Sequence, residues 1–275
     1  MSQSSTAQTR DVALASGETV LLRWAGATDT GRRRENNQDS FLAQFPLFVV
    51  ADGMGGHAGG EIASQRTIAR LEEAVAAGAV TAETIEAALI AAVDDITAHP
   101  ETTDEGTGTT LTGVFFALVD GDARWVSLNI GDSRVYLLRD GALSQITTDH
   151  SVVQELITAG RLSPEEAEGH PYSNVITRAV GVSEALPPDY RELSVQDGDR
   201  FVICSDGLTK ELTDYGIQHF LGLHPTADAA ADAMMSAALE NGGRDNVTLI
   251  VIDIARRGPG DESEETSSTA ELPTE

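Results

Sequence analysis

The sequence predicts an α+β fold: two packed, mainly antiparallel β-sheets flanked by helices, an αββα sandwich. Three observations lead there. Short runs rich in β-branched and aromatic residues recur along the chain, two helical patterns follow one another directly, and the strand runs are punctuated by Asp-Gly turn signals. A doubly wound parallel sheet would alternate strand and helix strictly, which this chain does not do.

Taken in order, residues 1–18 are polar and are expected to be a flexible segment. Strand runs follow at 20–28 ("VLLRWAGAT") and 40–51. Helices are expected over 61–77, where Ile68, Leu71 and Val75 form an apolar stripe, and over 81–98, where Ile85, Leu89, Val93 and Ile96 do the same. A meander comes next, with strands at 109–119, 124–130, 134–139 and 143–147 separated by Asp120-Gly121 and Asp140-Gly141. Ser163-Pro164-Glu165-Glu166 opens a helix with a capping serine, a first-turn proline and a reciprocal glutamate. Strands at 190–195 and 200–205 precede a helix from about 226, which Gly242-Gly243 closes, and "NVTLIVIDI" at 246–254 supplies the last strand. Residues 256–275 are acidic and poor in large apolar side chains, and are expected to be a disordered tail. One folded domain is thus placed at 19–255.

Composition excludes several classes. With 44 acidic and 18 basic residues among 275, the formal net charge is -26, a field that repels nucleic acid and anionic membrane surfaces. Cys204 is the only cysteine, so neither an internal disulfide nor a thiolate zinc cluster can form. No apolar run is long enough to span a membrane, and the polar start lacks the cationic-then-apolar order of a secretory signal. A soluble, cytoplasmic monomer is the expectation.

The chemistry concentrates where strands end. Three apolar runs finish in an acid beside a turn: "FVVAD" at Asp52, "VSLNIGD" at Asp132 and "FVICSD" at Asp206, while Asp245 stands just before the last strand. Read singly, each is an ordinary turn residue. Read together, strand termini on one rim of a sandwich can bring them to one place. Two like charges about 4 Å apart repel by about 4 kcal/mol at an effective dielectric near 20, so such a gathering calls for cations. Oxygen-only ligands favour magnesium or manganese, with calcium allowed, over zinc or copper.

These segments form a familiar set. "TDTGRRRENNQDS" at 28–40, "ADGMGGHAGGE" at 51–61, "GTTLTG" at 108–113, "IGDSRVYLLRDG" at 130–141, "CSDGL" at 204–208 and "GGRDNVT" at 242–248 closely resemble the metal-dependent protein phosphatases of type 2C, in their bacterial form. The resemblance runs in order from about residue 23 to 254. It implies a two-sheet sandwich, a binuclear Mn or Mg centre, and hydrolysis of phosphoserine and phosphothreonine in proteins by a metal-bridging hydroxide. Carried over residue by residue, it makes Asp52 the bridging carboxylate and the Gly53 carbonyl a ligand. Asp206 and Asp245 complete the first metal, and Asp132 with Asp206 holds the third ion of bacterial members. Gln38, Asp39 and Asn246 fall next to the metal shell, Gln38 at a position where many members have glutamate. Arg34 matches the arginine that grips phosphate, a task suited to paired guanidinium donors. His57 is the candidate proton donor for the leaving oxygen, although Met54-Gly55-Gly56 separates it from the Asp-Gly pair it follows directly in relatives. A role in holding the loop is its alternative. Residues 148–181 correspond to the family's mobile flap, in which Asp149, His150, His170 and Arg178 are expected to bond locally, and Arg32 and Arg33 are expected to be solvated. The implied partners are phosphorylated proteins, with serine/threonine kinases and their substrates foremost.

Other patterns in the chain fit less well. "GMGGHA" fits a loose dinucleotide-loop pattern, but the acids about 20 residues on, Glu72 and Glu73, lie inside a helix instead of at a strand end. A cysteine-dependent phosphatase needs an arginine where Cys204 is followed by Lys210, and Asp206 disfavours a thiolate, so Cys204 reads as core. Two alternatives stay within phosphate chemistry: a phosphoprotein-binding regulator with weak catalysis, and a hydrolase of small phosphate esters.

Overall fold

The structure is a computed structural model that describes residues 3–4, 6–55, 58–78, 80–99, 101–102, 106–119, 121–167, 169–182 and 187–258. In chain order the elements begin with strands β1 (Gln3–Ser4), β2 (Gln8–Ala13), β3 (Thr19–Asp29), β4 (Asp39–Gln44) and β5 (Leu47–Met54). Helices α1 (Gly59–Ala76) and α2 (Ala82–Ala98) follow, then β6 (Gly108–Thr109), β7 (Leu111–Val119), β8 (Asp122–Ile130), β9 (Arg134–Arg139) and β10 (Ala142–Gln145). Residues 148–181, the stretch expected to be the flap, hold α3 (Val152–Thr158) and α4 (Pro164–Ala167). The chain then returns through β11 (Asp189–Ser194), β12 (Arg200–Cys204), α5 (Asp206–Thr209), α6 (Asp214–Leu223), α7 (Ala227–Asn241) and β13 (Val247–Arg257).

Two sheets result. One runs β1-β3-β13-β12-β9-β10 with β2 also on β3, and the other runs β11-β8-β7-β5-β4 with β6 on β5. Every pairing is antiparallel. The period-2 alternation of side chains sorts the core into three layers. Phe48 and Val50 of β5 point between the sheets, where they meet Trp24, Trp125, Phe201, Ile203, Ile250 and Ile252. Their neighbours Leu47, Val49 and Ala51 point outward, onto Leu71 and Val75 of α1 and Ile85 and Leu89 of α2. Val202 and Cys204 of β12 face the other helical layer, against Ile217 and Leu221 of α6 and Met234 and Met235 of α7. Helix, sheet, sheet, helix is the predicted order. Cys204 is fully buried there, and burial pushes its thiol up to about 12, as suits a core residue.

Several elements differ from expectation for identifiable reasons. The run at 40–51 is a hairpin, because Pro46 lacks the N–H that a continuing central strand would need. Residues 8–13, within the segment read as flexible, form β2 along β3. Its side chains are mostly exposed, so backbone pairing holds it and the apolar pattern gave no sign of it. The Ser163 capping box is present, with Glu166 accepting from the Ser163 N–H at 2.9 Å, yet the helix it opens lasts one turn. Helix α6 was not expected; Thr213 caps it by accepting from the Gly216 N–H. Strand β13 runs to Arg257, and the acidic residues from 259 lie outside the described residues. No helix among the described residues is long and apolar enough to cross a membrane.

Candidate metal centre

Asp52 is the end of an inward-facing row. It continues Phe48 and Val50 along β5, and Asp39 stands directly across from it on β4. The β6 and β7 turn then closes on its backbone. The Thr110 hydroxyl accepts from the Asp52 N–H at 3.0 Å, while the Thr110 N–H and the Thr109 hydroxyl both donate to the Asp52 carbonyl. Thr110 in turn meets the Ser133 hydroxyl at 2.8 Å, which ties the Asp52 strand to the turn carrying Asp132. That turn needs its glycine: Gly131 has φ +106, and a Cβ there would lie 2.6 Å from Thr110.

The other sheet supplies the other two acids. Ser205 leaves β12 with its N–H bonded to the Thr248 carbonyl, its hydroxyl donates to buried Asp39 at 2.8 Å, and Asp206 opens α5. Gly207 is required next, since a Cβ would fall 1.8 Å from the Asn246 carbonyl oxygen. Asn246 acts as a clamp: its Oδ1 accepts from the Gln38 N–H, and its Nδ2 donates to the carbonyls of Thr30 and Asn36. This holds the 30–38 loop, and with it Arg34, against the start of β13, where Asp245 stands.

Asp52, Asp132, Asp206 and Asp245 therefore line one cavity of about 320 Å³, together with Gly53, Arg34, Gln38, Asn246 and Lys210. Asp39 sits behind this wall, buried, with its Oδ1 unpartnered among the described residues. Gly53 answers to close packing: a Cβ would stand 2.0 Å from the Gly60 carbonyl oxygen at the start of α1. His57 lies outside the described residues.

The electrostatics are those of a crowded anion site. Burial first, then repulsion from Asp206 and Asp245, pushes Asp39 up to about 7. Asp132 is pushed up to about 7 by burial and by Asp206 and Asp149, and Asp52 is raised well above the ordinary carboxylate range by burial and by Asp39, Asp206, Asp132 and Asp245. Asp245 goes the other way. Burial opposes its charge, but Lys210 and Arg34 outweigh burial and hold it below the usual range.

Lys210 escaped the sequence analysis as a site residue. Its Nζ stands 2.5 Å from Asp206 Oδ2 and 2.9 Å from Asp245 Oδ2, while Arg34 Nε lies 2.9 Å from Asp245 Oδ1. The signal was available, since Lys210 follows Asp206 at i+4 and both fall on one helical turn. Among the described residues, no three acidic, histidine or cysteine groups stand close enough to chelate one ion, with Lys210 between two of the acids. The donor set nevertheless suits a hard divalent ion: all-oxygen ligands, an Asp206 Oδ1 that is buried without a partner among the described residues, and three acids whose charge burial and repulsion oppose.

The flap residues bond outward more than locally. Asp149 pairs with Arg134 of β9 at 2.7 Å, and Arg178 with Asp189 of β11 at 2.6 Å. His150 accepts from the Gly131 N–H through Nδ1, which leaves Nε2–H to face Asp189. Within the flap, Arg178 Nη1 also stands 3.1 Å from His150 Nε2, and His170 accepts from the Tyr172 N–H through Nδ1. Arg32 is not a free solvated side chain, since its Nε donates to the Leu239 carbonyl; Arg33 is exposed.

Known proteins resemble this chain over most of its length. A family model described as Protein phosphatase 2C matches residues 28–241. Serine/threonine protein phosphatase PstP of Mycobacterium tuberculosis is 42% identical over 241 residues, which are 86% of this chain and 46% of that relative, so the chain spans under half of its length. Serine/threonine phosphatase stp of Listeria monocytogenes is 35% identical over 246 residues, covering 84% of this chain and 96% of the relative. The crystal structure of the catalytic domain of PstP in complex with two manganese ions superposes with a TM-score of 0.75 at 39% identity, over 86% of this chain and 99% of that one.

Proposed function

Because this chain belongs to the protein phosphatase 2C family, we propose that its acidic cavity is a Mn- or Mg-dependent centre that hydrolyses phosphoserine and phosphothreonine in proteins. The observation that carries this reading is the meeting of four aspartates, brought by strand ends of both sheets and the β8–β9 turn between them, around one cavity that also receives an arginine. The family resemblance and the manganese in the PstP catalytic domain support the choice of metal.

In this reading Asp52 and the Gly53 carbonyl, with Asp206 and Asp245, hold two ions, and Asp132 with Asp206 holds a third. When bound, the ions lower the pKa of water and set positive charge against the phosphoryl oxygens. The chain's own residues do the rest. Arg34, with its side chain half exposed, turns its paired donors from Asp245 to the substrate phosphate and fixes its orientation. Asn246 keeps the Arg34 loop in place. Ser205 and Asp39 brace the Asp206 turn from behind, and the neutral Gln38 contributes no charge of its own. His57 is assigned the proton to the departing serine or threonine oxygen. We read the folded domain as 19–255, with β2 (Gln8–Ala13) added before it and β13 running on to Arg257, and the flap as 148–181. We further read the protein as a cytoplasmic monomer in bacterial signalling, acting on kinases and their substrates.

Phosphate release from a phosphothreonine peptide with added manganese, compared with Asp52→Asn and Asp206→Asn, tests the reading. Loss of release in both folded variants is expected. Peptide binding without release in the wild type would favour a binding regulator, and faster turnover of nucleotides than of phosphopeptides would favour a small-ester hydrolase.

A further inference from the structure

We propose that Lys210 is an internal counter-cation that competes with the divalent ion for Asp206 and Asp245, and so sets how tightly this centre holds metal. The inference rests on the metal-centre reading above and adds a residue that the family motif "CSDGL" does not include.

The lone pairs of Asp245 are already in use. Its Oδ2 accepts from Lys210 Nζ at 2.9 Å and from Arg34 Nη2 at 3.0 Å, while its Oδ1 meets Arg34 Nε at 2.9 Å and the Asn246 N–H at 2.9 Å. A carboxylate offers about four lone-pair sites, so an ion arriving at Asp245 must displace a donor. Arg34 is the more exposed of the two cations, at 52% against 30%, and pairs with one acid among the described residues. Lys210 bridges two. One cation shared between Asp206 and Asp245 occupies the electrostatic place that a divalent ion would take.

Its attachment makes the competition persistent. Lys210 sits at i+4 from Asp206, immediately after α5, so a displaced ammonium stays on the rim of the same cavity, a local competitor whose effective concentration does not fall on dilution. Remove the ammonium and the metal-free cluster of Asp52, Asp132, Asp206 and Asp245 keeps Arg34 as the only cation that lines the cavity among the described residues. The same contact thus stabilises the metal-free protein and weakens metal binding, the two effects being linked reciprocally.

The test compares wild type with Lys210→Met, Lys210→Gln and Lys210→Arg, using manganese calorimetry and melting curves in chelator and in manganese. For Lys210→Met and Lys210→Gln we expect manganese to bind about tenfold tighter, within the usual range of coupling between sites. We also expect a lower Tm in chelator and a larger manganese-induced rise in Tm; Lys210→Arg keeps wild-type values. A lysine with a purely structural role would lower both melting temperatures alike. Unchanged or weaker manganese binding in a folded Met or Gln variant overturns the proposal. Asp206→Asn separates the levels: if the wild type binds manganese no better than this variant does, the metal-centre reading fails and takes the proposal with it.

Discussion

With metal removed, this protein's stability is expected to fall as pH rises through neutrality. Asp39 and Asp132 are both held at about 7 in the folded chain, by burial and then by neighbouring carboxylates, against an ordinary value of 3.8. An acid whose folded pKa is raised binds more protons folded than unfolded between those values, so its contribution is complete below about 3.8 and is lost as pH climbs through about 7. One pKa unit corresponds to about 1.4 kcal/mol, and pH 5.5 lies 1.5 units below the folded value, so each group costs about 2 kcal/mol between pH 5.5 and pH 8. The acids repel one another and titrate as a cluster, which makes the figure for one group the working minimum. Ion-paired acids such as Asp245 and Glu211 have lowered values and lose their contribution only in more acidic solution, outside this window. The assay is urea unfolding in chelator at pH 5.5, 7 and 8, followed by circular dichroism. Added manganese, which needs ionised carboxylates, should reverse the trend. Metal-free stability that is flat or rises from pH 5.5 to 8 would refute the electrostatic account of the cavity.

Three further outcomes follow from the packing and the site. Gly53→Ala places a methyl 2.0 Å from the Gly60 carbonyl oxygen, and because both sides are backbone, a loss of about 3 kcal/mol is expected in urea unfolding. Asn246→Ala removes bonds to the Gln38 N–H and to the carbonyls of Thr30 and Asn36; at about 1 kcal/mol each, roughly 3 kcal/mol should go, and hydrogen exchange should quicken in the 30–38 loop. Arg34→Lys keeps the charge but loses the paired donors, so KM for a phosphothreonine peptide should rise by about tenfold with a smaller change in kcat, as steady-state kinetics would read out.

The sequence carried most of the sandwich because its central strands are continuous apolar runs, buried on both faces, and its first two helices show clean stripes. Asp52, Asp132, Asp206 and Asp245 were legible as strand-end acids, and the cavity gathers all of them. What escaped notice depends on contacts distant in sequence. Strand β2 is held by backbone pairing with exposed side chains, and no apolar period marks it. Arg32 looks like one of three solvated arginines until α7 brings the Leu239 carbonyl to it. Asn246 reads as a neighbour of a metal ligand, yet its three side-chain bonds all go to the 30–38 backbone, some 210 residues earlier in the chain.

The crowding of acids is itself a product of the apolar pattern. Like charges directly opposite one another on paired strands are unfavourable, yet Asp39 and Asp52 are cross-strand partners. Register decides this. Sliding the edge strand β4 past β5 by one residue would separate the two acids, but it would also turn β4 over: Phe41 and Ala43 would leave the inter-sheet layer while Leu42 left the helices. Burying one such side chain is worth about 1.5–3 kcal/mol, so the row as a whole outweighs one pair of repelling carboxylates. The sandwich therefore forces Asp39 against Asp52 at the open end of the inner layer, and β12 and β13 bring Asp206 and Asp245 to the same end from the opposite sheet. A cation need not assemble this site. It relieves a repulsion that hydrophobic packing has already imposed.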